Sequence, residues 1–350
     1  MKSLESGFLQ KIKLTQEHAA TLNAIAEYKG KQELYTRQTP EVLDSLKTVA
    51  IIESSESSNR LEGIEAPRER IKAIVIKDTK PKSRSEQEIA GYRDALNLIH
   101  ESARHMNYTV NIIKQLHSLV YRYLPADGGN WKMTNNNIVE KDADGKIVRV
   151  RFQTVSPVQT PQAMDDLISQ YHSVESGEGT VPLVIIPLTI LDFLCIHPFS
   201  DGNGRVARLI TLLLLYKFEH EVGRYISLER IFEESKESYY DTLEQSSQGW
   251  HEGDHDVFPW MTYFWGVLIR AYKEFEERVG QIRTSRGSKT EQIIQAVQRR
   301  LQPFNITDIE VDCPGVSRDM IRKVLRSLRD KGEIELDRPG RGAKWQKKKP

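Results

Sequence analysis

His197-Pro198-Phe199-Ser200-Asp201-Gly202-Asn203-Gly204-Arg205-Val206-Ala207-Arg208 runs directly into an apolar stretch, Leu209, Ile210, Leu212 to Leu215 and Tyr216. The apolar stretch reads as a buried helix, so the Gly-Asn-Gly turn falls at its N-terminus. There the first backbone N–H groups lack intrahelical partners and the helix dipole attracts anions. Arg205 and Arg208, three residues apart on one helical face, are spaced to meet a polyphosphate together. Asp201 suits a hard divalent cation, because Mg²⁺ binds one or two carboxylates alongside phosphate oxygens and water. His197 is the proton acceptor of the group. Each piece alone has a plainer explanation: a single histidine is usually a structural hydrogen-bonder, and Asp-Gly-Asn-Gly is usually a surface turn. A turn, however, has no use for the flanking histidine and both arginines, and the combination points to phosphate chemistry.

Outside this stretch, helical apolar spacing dominates. Leu43, Leu46, Val49 and Ala50, then Ile112, Ile113, Leu116, Leu119 and Val120, then Trp260, Met261, Tyr263, Phe264, Val267 and Leu268 each mark an amphipathic or buried helix. The fold class is therefore mainly α. Between Trp131 and Thr160 the alternating Ile147-Val148-Arg149-Val150-Arg151-Phe152, preceded by Asp142-Ala143-Asp144-Gly145, predicts a short β-hairpin that ends at Ser156-Pro157. The polar, turn-rich Gln281 to Lys289 reads as a linker. We divide the chain into an N-terminal helical region (1–105), a core (106–280), and a linker with a C-terminal module (281–350).

The 350 residues suffice for two or three domains. Met1 to Ser6 has no apolar signal core, and no apolar run reaches the roughly 20 residues that span a bilayer. Only Cys195 and Cys313 are present, which argues against a disulfide framework. Cytoplasmic residence without a membrane partner is the expectation. Net charge is +1, but Arg318 to Pro350 carries 12 Lys and Arg against 5 Asp and Glu. Basic charge is concentrated at the C-terminal end.

The stretch from His197 to Arg208 resembles the signature of the Fic family, His-Pro-Phe-x-(Asp/Glu)-Gly-Asn-Gly-Arg-x-x-Arg, at every defined position. The resemblance implies transfer of AMP from ATP to a Ser, Thr or Tyr hydroxyl of a protein. His197 would take the hydroxyl proton, Asp201 would hold Mg²⁺, and backbone N–H groups around Gly202, Asn203 and Gly204 would form the anion hole. Arg205 would meet the inner phosphates and Arg208 the γ-phosphate. Tyr239 and Tyr240 stand where relatives line the adenine pocket. Ser247 stands where many relatives carry an asparagine, a departure from the family's pattern. The hairpin corresponds to the flap that holds the target by strand addition, with Arg149, Val150, Arg151, Phe152, Gln153 and Thr154 in the matching place.

Upstream, Ser57-Ser58-Asn59-Arg60-Leu61-Glu62-Gly63 resembles the family's inhibitory pattern, (Ser/Thr)-x-x-x-Glu-(Gly/Asn), and Ser58 and Glu62 share a helical face. The resemblance implies that Glu62 pairs with Arg208 and denies it to the γ-phosphate, as in the subgroup whose inhibitory helix precedes the core. In related proteins the matching glutamate also serves removal of AMP.

From Thr290 the chain reads as two helices and a β-wing, and looks like a winged helix-turn-helix. Ser317 is the expected N-cap of its recognition helix. Arg318, Arg322, Lys323 and Arg326 on or near that helix, with Arg338, Arg341 and Lys344 on the wing, could meet DNA phosphates; the alternative is a module that packs on the core or binds another protein. His251-Glu252-Gly253-Asp254-His255 fits the zinc-protease pattern, but Gly253 and turn-like flanks place it in a loop, where the two histidines cannot share a helical face. The expected partners are ATP, a protein with an exposed hydroxyl (the chain itself included), DNA, and a second copy of the chain. The alternative to an enzyme is a DNA-binding regulator whose core senses a nucleotide, although sensing needs no general base.

Overall fold

The computed structural model describes the chain apart from residues 1, 39, 143, 300–302, 314–315, 338–342 and 348–350, and apart from the side chains of 34–38, 40–42, 141, 280–288, 291–292, 295, 299 and 311–312. In chain order the elements are α1 (Ser6–Leu9), α2 (Gln16–Gln38), α3 (Pro40–Leu61), α4 (Arg68–Lys77), α5 (Arg84–Ser102) and α6 (Val110–Val120). The hairpin β1 (Ile138–Lys141) and β2 (Ile147–Phe152) follows, then α7 (Thr160–Glu175), α8 (Pro182–Ile196), α9 (Asn203–Lys217), α10 (Leu228–Glu234), α11 (Lys236–Ser247) and α12 (Phe258–Arg299). The chain closes with α13 (Ile306–Asp312), α14 (Arg318–Asp330), β3 (Ile334–Leu336) and β4 (Trp345–Lys347).

Helix α8 is apolar on nearly every side, and such a helix belongs in an interior. Leu183, Ile186, Leu188, Phe193 and Ile196 are all buried. It packs against α7, α9 and α11, while α9 also meets α5 and α6. Pro182 opens α8, where its missing N–H costs nothing. Pro187 lies inside and cannot bond the carbonyl four residues earlier. That carbonyl, on Leu183, instead accepts from Trp265 Nε1 at 2.7 Å, and Trp260 Nε1 donates to the Pro187 carbonyl at 2.8 Å. Two indoles of α12 thus pin α8 at its break.

Two compact units divide the chain, Met1–Phe275 and Glu276–Pro350. In the first, α3 contacts α5, α9 and α10, so the boundary expected near residue 105 is no break in packing. The division falls inside α12. The linker expected at 281–289 is helical, because its Gln, Arg and Lys are good helix formers and no proline interrupts them.

The antiparallel hairpin stands as the alternation required, Val139 opposite Val150 and Glu140 opposite Arg149. In the second unit Ile293, Val297, Ile309, Ile321, Leu325 and Trp345 share a core with Phe304. Ser317 caps α14, accepting from Met320 N–H at 3.3 Å. Strands β3 and β4 pair antiparallel, with Leu336 opposite Trp345. Among the described residues, no helix is long and apolar enough to cross a membrane.

Trp265→Phe removes the donor to a buried carbonyl and should lower unfolding free energy by about 1–3 kcal/mol in denaturant titration.

Candidate active site

His197 is the residue that ends α8. Its φ of 53° is left-handed, uncommon for a residue with a Cβ, and its N–H still donates to Phe193 O at 2.9 Å. The turn aims the imidazole into a cavity rather than along the helix. Nδ1–H donates to the Leu194 carbonyl at 3.2 Å, which leaves the Nε2 lone pair to accept a proton. Burial pushes the imidazole down to about 4, and Lys132 adds to the shift. At neutral pH the ring is an unprotonated base.

The following loop delivers the chain to α9. Asn203 Oδ1 accepts from Phe199 N–H at 2.9 Å and its Nδ2 donates to Phe199 O at 2.7 Å, closing the turn with one side chain. Gly202, at φ 80°, makes the left-handed step before the helix, and no side chain caps α9. The first N–H groups of α9 therefore face the cavity side without a capping oxygen. A Cβ on Gly204 would stand 2.3 Å from Glu62 Oε1, so glycine is required where that carboxylate sits over the helix end.

Asp201 projects outward, with 70% of its side chain exposed. Burial works against its charge, but a 2.8 Å bond from Tyr121 and the Arg205 guanidinium outweigh it and hold the carboxyl below its ordinary range. Behind it stands His117, stacked between Phe199 and Tyr121. Gly129 N–H donates to His117 Nδ1 at 2.8 Å, so the proton resides on Nε2 and is donated to the Asp201 carbonyl at 3.0 Å.

Arg205 departs from expectation. It is 1% exposed, and its Nη1 donates to Glu88 Oε2 at 2.7 Å beneath the loop. Its guanidinium is held by a buried carboxylate on α5, so it braces Asp201 and Gly202 instead of lining the cavity. Arg208 does line it. Arg208 Nε donates to Ser58 Oγ and Nη2 to Ser58 O, both at 2.8 Å, and Nη2 meets Glu62 Oε1 at 2.7 Å. The inhibitory pattern read at Ser58 and Glu62 is thus assembled around this arginine.

The cavity has a volume of about 240 Å³ and is also lined by Tyr239, Tyr240, Ser247, Arg151 and Phe152. Tyr239 is at once a core residue, packed on Phe232 and Trp260. Tyr240 donates to the Leu61 carbonyl at the end of α3, at 3.2 Å, and the Ser247 hydroxyl donates to Glu244 O at 2.8 Å. On the hairpin, Arg149 and Arg151 grip Glu244 of α11 at 2.7 and 3.2 Å. Val150 is half exposed, Gln153 O accepts from His251 Nε2 at 2.7 Å, and Thr154 is buried at the hairpin's foot.

The His251 to His255 segment is a turn, as expected. His251 binds the hairpin, whereas His255 Nε2 donates to Ser3 Oγ at 2.8 Å. Among the described residues no group of three or more His, Cys, Asp or Glu could hold a metal ion.

Glu88, His117 and Tyr121 were not singled out from sequence. A signal existed for two of them. Glu88 falls in register with Tyr92, Ala95 and Ile99, and His117 with Ile113 and Val120, so each is a polar residue on a buried stripe. The wing residues Arg338 and Arg341 lie outside the described residues.

Because burial disfavours the imidazolium, His197 should remain neutral from pH 8 down to about pH 5, as its lowered value of about 4 requires. Histidine-selective NMR should show the Nδ1–H tautomer across that range.

Residues 107–215 match the family model described as Fic/DOC family. Among solved structures, a Fic family protein from Desulfovibrio desulfuricans G20 superposes with a TM-score of 0.64 at 19% identity, covering 96% of this chain and 97% of that one. A Fic domain containing signaling protein from Bacteroides thetaiotaomicron gives 0.60 at 20% identity over 74% and 97%. Fic-1 (residues 134–508) from C. elegans gives 0.58 at 19% over 76% and 72%. A Fido domain-containing protein of Dictyostelium discoideum is 28% identical over 64 residues, 18% of this chain and 45% of that protein. A ribonucleoside-diphosphate reductase small chain of Ostreid herpesvirus 1 is 27% identical over 170 residues, 46% of this chain. The chain spans 29% and 45% of the length of the herpesvirus and Dictyostelium relatives, respectively. With a His197–Arg208 loop built as described and a fold shared with Fic proteins over most of its length, this chain carries a Fic/DOC family domain at residues 107–215.

Proposed function

We propose that the protein is an autoinhibited adenylyltransferase that moves AMP from ATP to a Ser, Thr or Tyr hydroxyl of a protein. One observation carries the reading: a neutral imidazole with a free Nε2 and an uncapped helix N-terminus share a cavity whose arginine is already held by a carboxylate. In this reading Nε2 takes the hydroxyl proton and the oxygen attacks the α-phosphorus in line. The bond to the bridging oxygen breaks, and pyrophosphate leaves. The N–H groups of Gly202, Asn203 and Gly204 steady the α- and β-phosphates, and Arg208 takes the γ-phosphate. Arg205 serves through the loop, not by touching phosphate.

Asp201 fits Mg²⁺: it is an ionised, exposed carboxylate at the cavity, and this ion needs few protein ligands when phosphate supplies the others. Bound there, the ion would neutralise charge on the leaving group. Tyr239, Tyr240 and Ser247 are the base-side wall, and the segment from Arg149 on β2 to Thr154 at the hairpin's foot holds the target strand, which in self-modification belongs to the same chain.

Glu62 occupies both places an anion would take, on Arg208 and over Gly204. Two like charges cannot share that site, so the carboxylate opposes the reactive pose of ATP. The same carboxylate is placed to orient a water for removal of AMP. In the second unit, α14 exposes Lys323 and Arg326 opposite its buried Ile321, Leu325 and Leu328, which supports reading it as the DNA-facing helix of a winged helix.

The test incubates wild type, Glu62→Gly and Glu62→Gly/His197→Ala with Mg²⁺ and ATP labelled on the α-phosphate. Glu62→Gly should raise protein labelling about 10-fold or more. Adding His197→Ala should lower it about 10²- to 10⁴-fold. No label in any sample, on the chain or on lysate proteins, would overturn the transfer reading.

A further inference from the structure

Each backbone carbonyl from Ile196 to Phe199 accepts a hydrogen bond from Lys132 or Asn136. Lys132 Nζ donates to Ile196 O at 3.0 Å, and Lys132 N–H donates to Pro198 O at 2.9 Å. Asn136 Nδ2 donates to His197 O at 3.3 Å and to Phe199 O at 2.6 Å. The same two side chains reach the hairpin. Lys132 Nζ donates to Thr154 Oγ1 at 2.9 Å and to Asn136 Oδ1 at 2.8 Å, and Thr154 Oγ1 donates to Asn136 Oδ1 at 3.1 Å.

Lys132 is 1% exposed, and its three hydrogen-bond acceptors are all neutral. Burial alone lowers its ammonium to about 8, so it remains mostly charged at neutral pH. A buried cation is costly to retain where an apolar side chain would fill the space. An ammonium does what no apolar group does: it sends three donors from one atom to three chain segments. The residue those segments surround, His197, is held at a left-handed φ, a conformation that persists only when its surroundings over-determine it.

We propose that Lys132 and Asn136 are positioning residues that form one clasp, fixing the backbone of His197 and locking it to the foot of the hairpin at Thr154. The base and the strand that receives the target are then held in a single frame, so the hydroxyl arrives in register with Nε2. This rests on His197 acting as the general base of the proposed transfer. Lys132 also faces His197 with its charge, as do Glu62 and Asp201.

Lys132→Met, Asn136→Ala and the double variant, each in the Glu62→Gly background, should lower kcat about 10- to 100-fold, the scale of a small misplacement of a reacting group. KM for ATP should stay within about 3-fold, because neither side chain touches phosphate in this scheme. As parts of one clasp their losses should not multiply: the double variant should fall no further than the worse single one. In unliganded protein, the amide resonances of His197 and Thr154 should move together in either single variant. Unchanged kcat, multiplying losses, or a Thr154 amide that stays in place would overturn the proposal. If Lys132→Met does not fold, Asn136→Ala carries the same two readouts. If the Glu62→Gly parent transfers nothing, the transfer reading fails, while the paired amide shifts still decide the clasp.

Discussion

Helix α9 starts without a side-chain cap, and much of the site follows from that omission. A Ser, Thr or Asp at the cap position would supply a side-chain oxygen to the first N–H groups; Gly202 stands there instead, at a cost of only a few tenths of a kcal/mol. An N-terminus whose first N–H groups stay open does not use them to hold the preceding loop. The loop is therefore secured by side chains: Asn203 on Phe199, His117 on the Asp201 carbonyl, and Arg205, anchored by Glu88, behind Asp201. Rigid surroundings replace the missing cap, and the open donors remain available.

The two arginines of the loop illustrate how position decides role. Arg205 and Arg208 are equally buried, at 1% and 2% exposure, and both face carboxylates. The difference lies in what carries each carboxylate. Glu88 is buried within α5, deep in the first unit, whereas Glu62 follows the last residue of α3 and is 30% exposed along its side chain. A partner inside a packed helix moves only if that packing opens, whereas a partner past a helix end, bordered by Gly63 at φ 76°, is tied down by fewer neighbours. In the proposed transfer Arg208 is thereby the arginine that meets phosphate, without any difference in residue type.

The fold class, the hairpin and the turn that opens α9 were legible because apolar period and turn chemistry act locally. The pairing of Ser58 and Glu62 with Arg208 was legible through resemblance, since 150 and 146 residues separate the partners and no local rule joins them. What escaped reading were contacts in which a polar residue serves a distant backbone. A distant side chain matters likewise: the spacing of Arg205 from Arg208 suits phosphate, but in the structure its guanidinium meets Glu88, 117 residues away, and Asp201. The supposed linker failed differently: its polar residues lack apolar anchors, yet nothing in Gln, Arg or Lys opposes a helix, and α12 continues through them.

The face that α3 buries near its end bears on how Glu62 can be released in the proposed mechanism. Ser54, Ser55, Ser57, Ser58 and Asn59 are all at most 4% exposed, so this turn and a half is buried through hydroxyls and an amide instead of aliphatic side chains. Ser54 Oγ lies 2.7 Å from Glu229 Oε2, and Ser58 holds Arg208, but Ser55 Oγ and Asn59 Oδ1 have no hydrogen-bond partner among the described residues. A buried leucine would resist exposure by about 1.5–3 kcal/mol. A hydrogen-bonded hydroxyl resists by only about 1 kcal/mol, since water replaces the bond, and an unpartnered polar atom favours exposure outright. The segment that ends in Glu62 is thus held by one buried aliphatic side chain, Leu61, and by directional bonds to Arg208 and Glu229, and in the proposed mechanism a phosphate that takes over the bonds of Arg208 removes one of those holds.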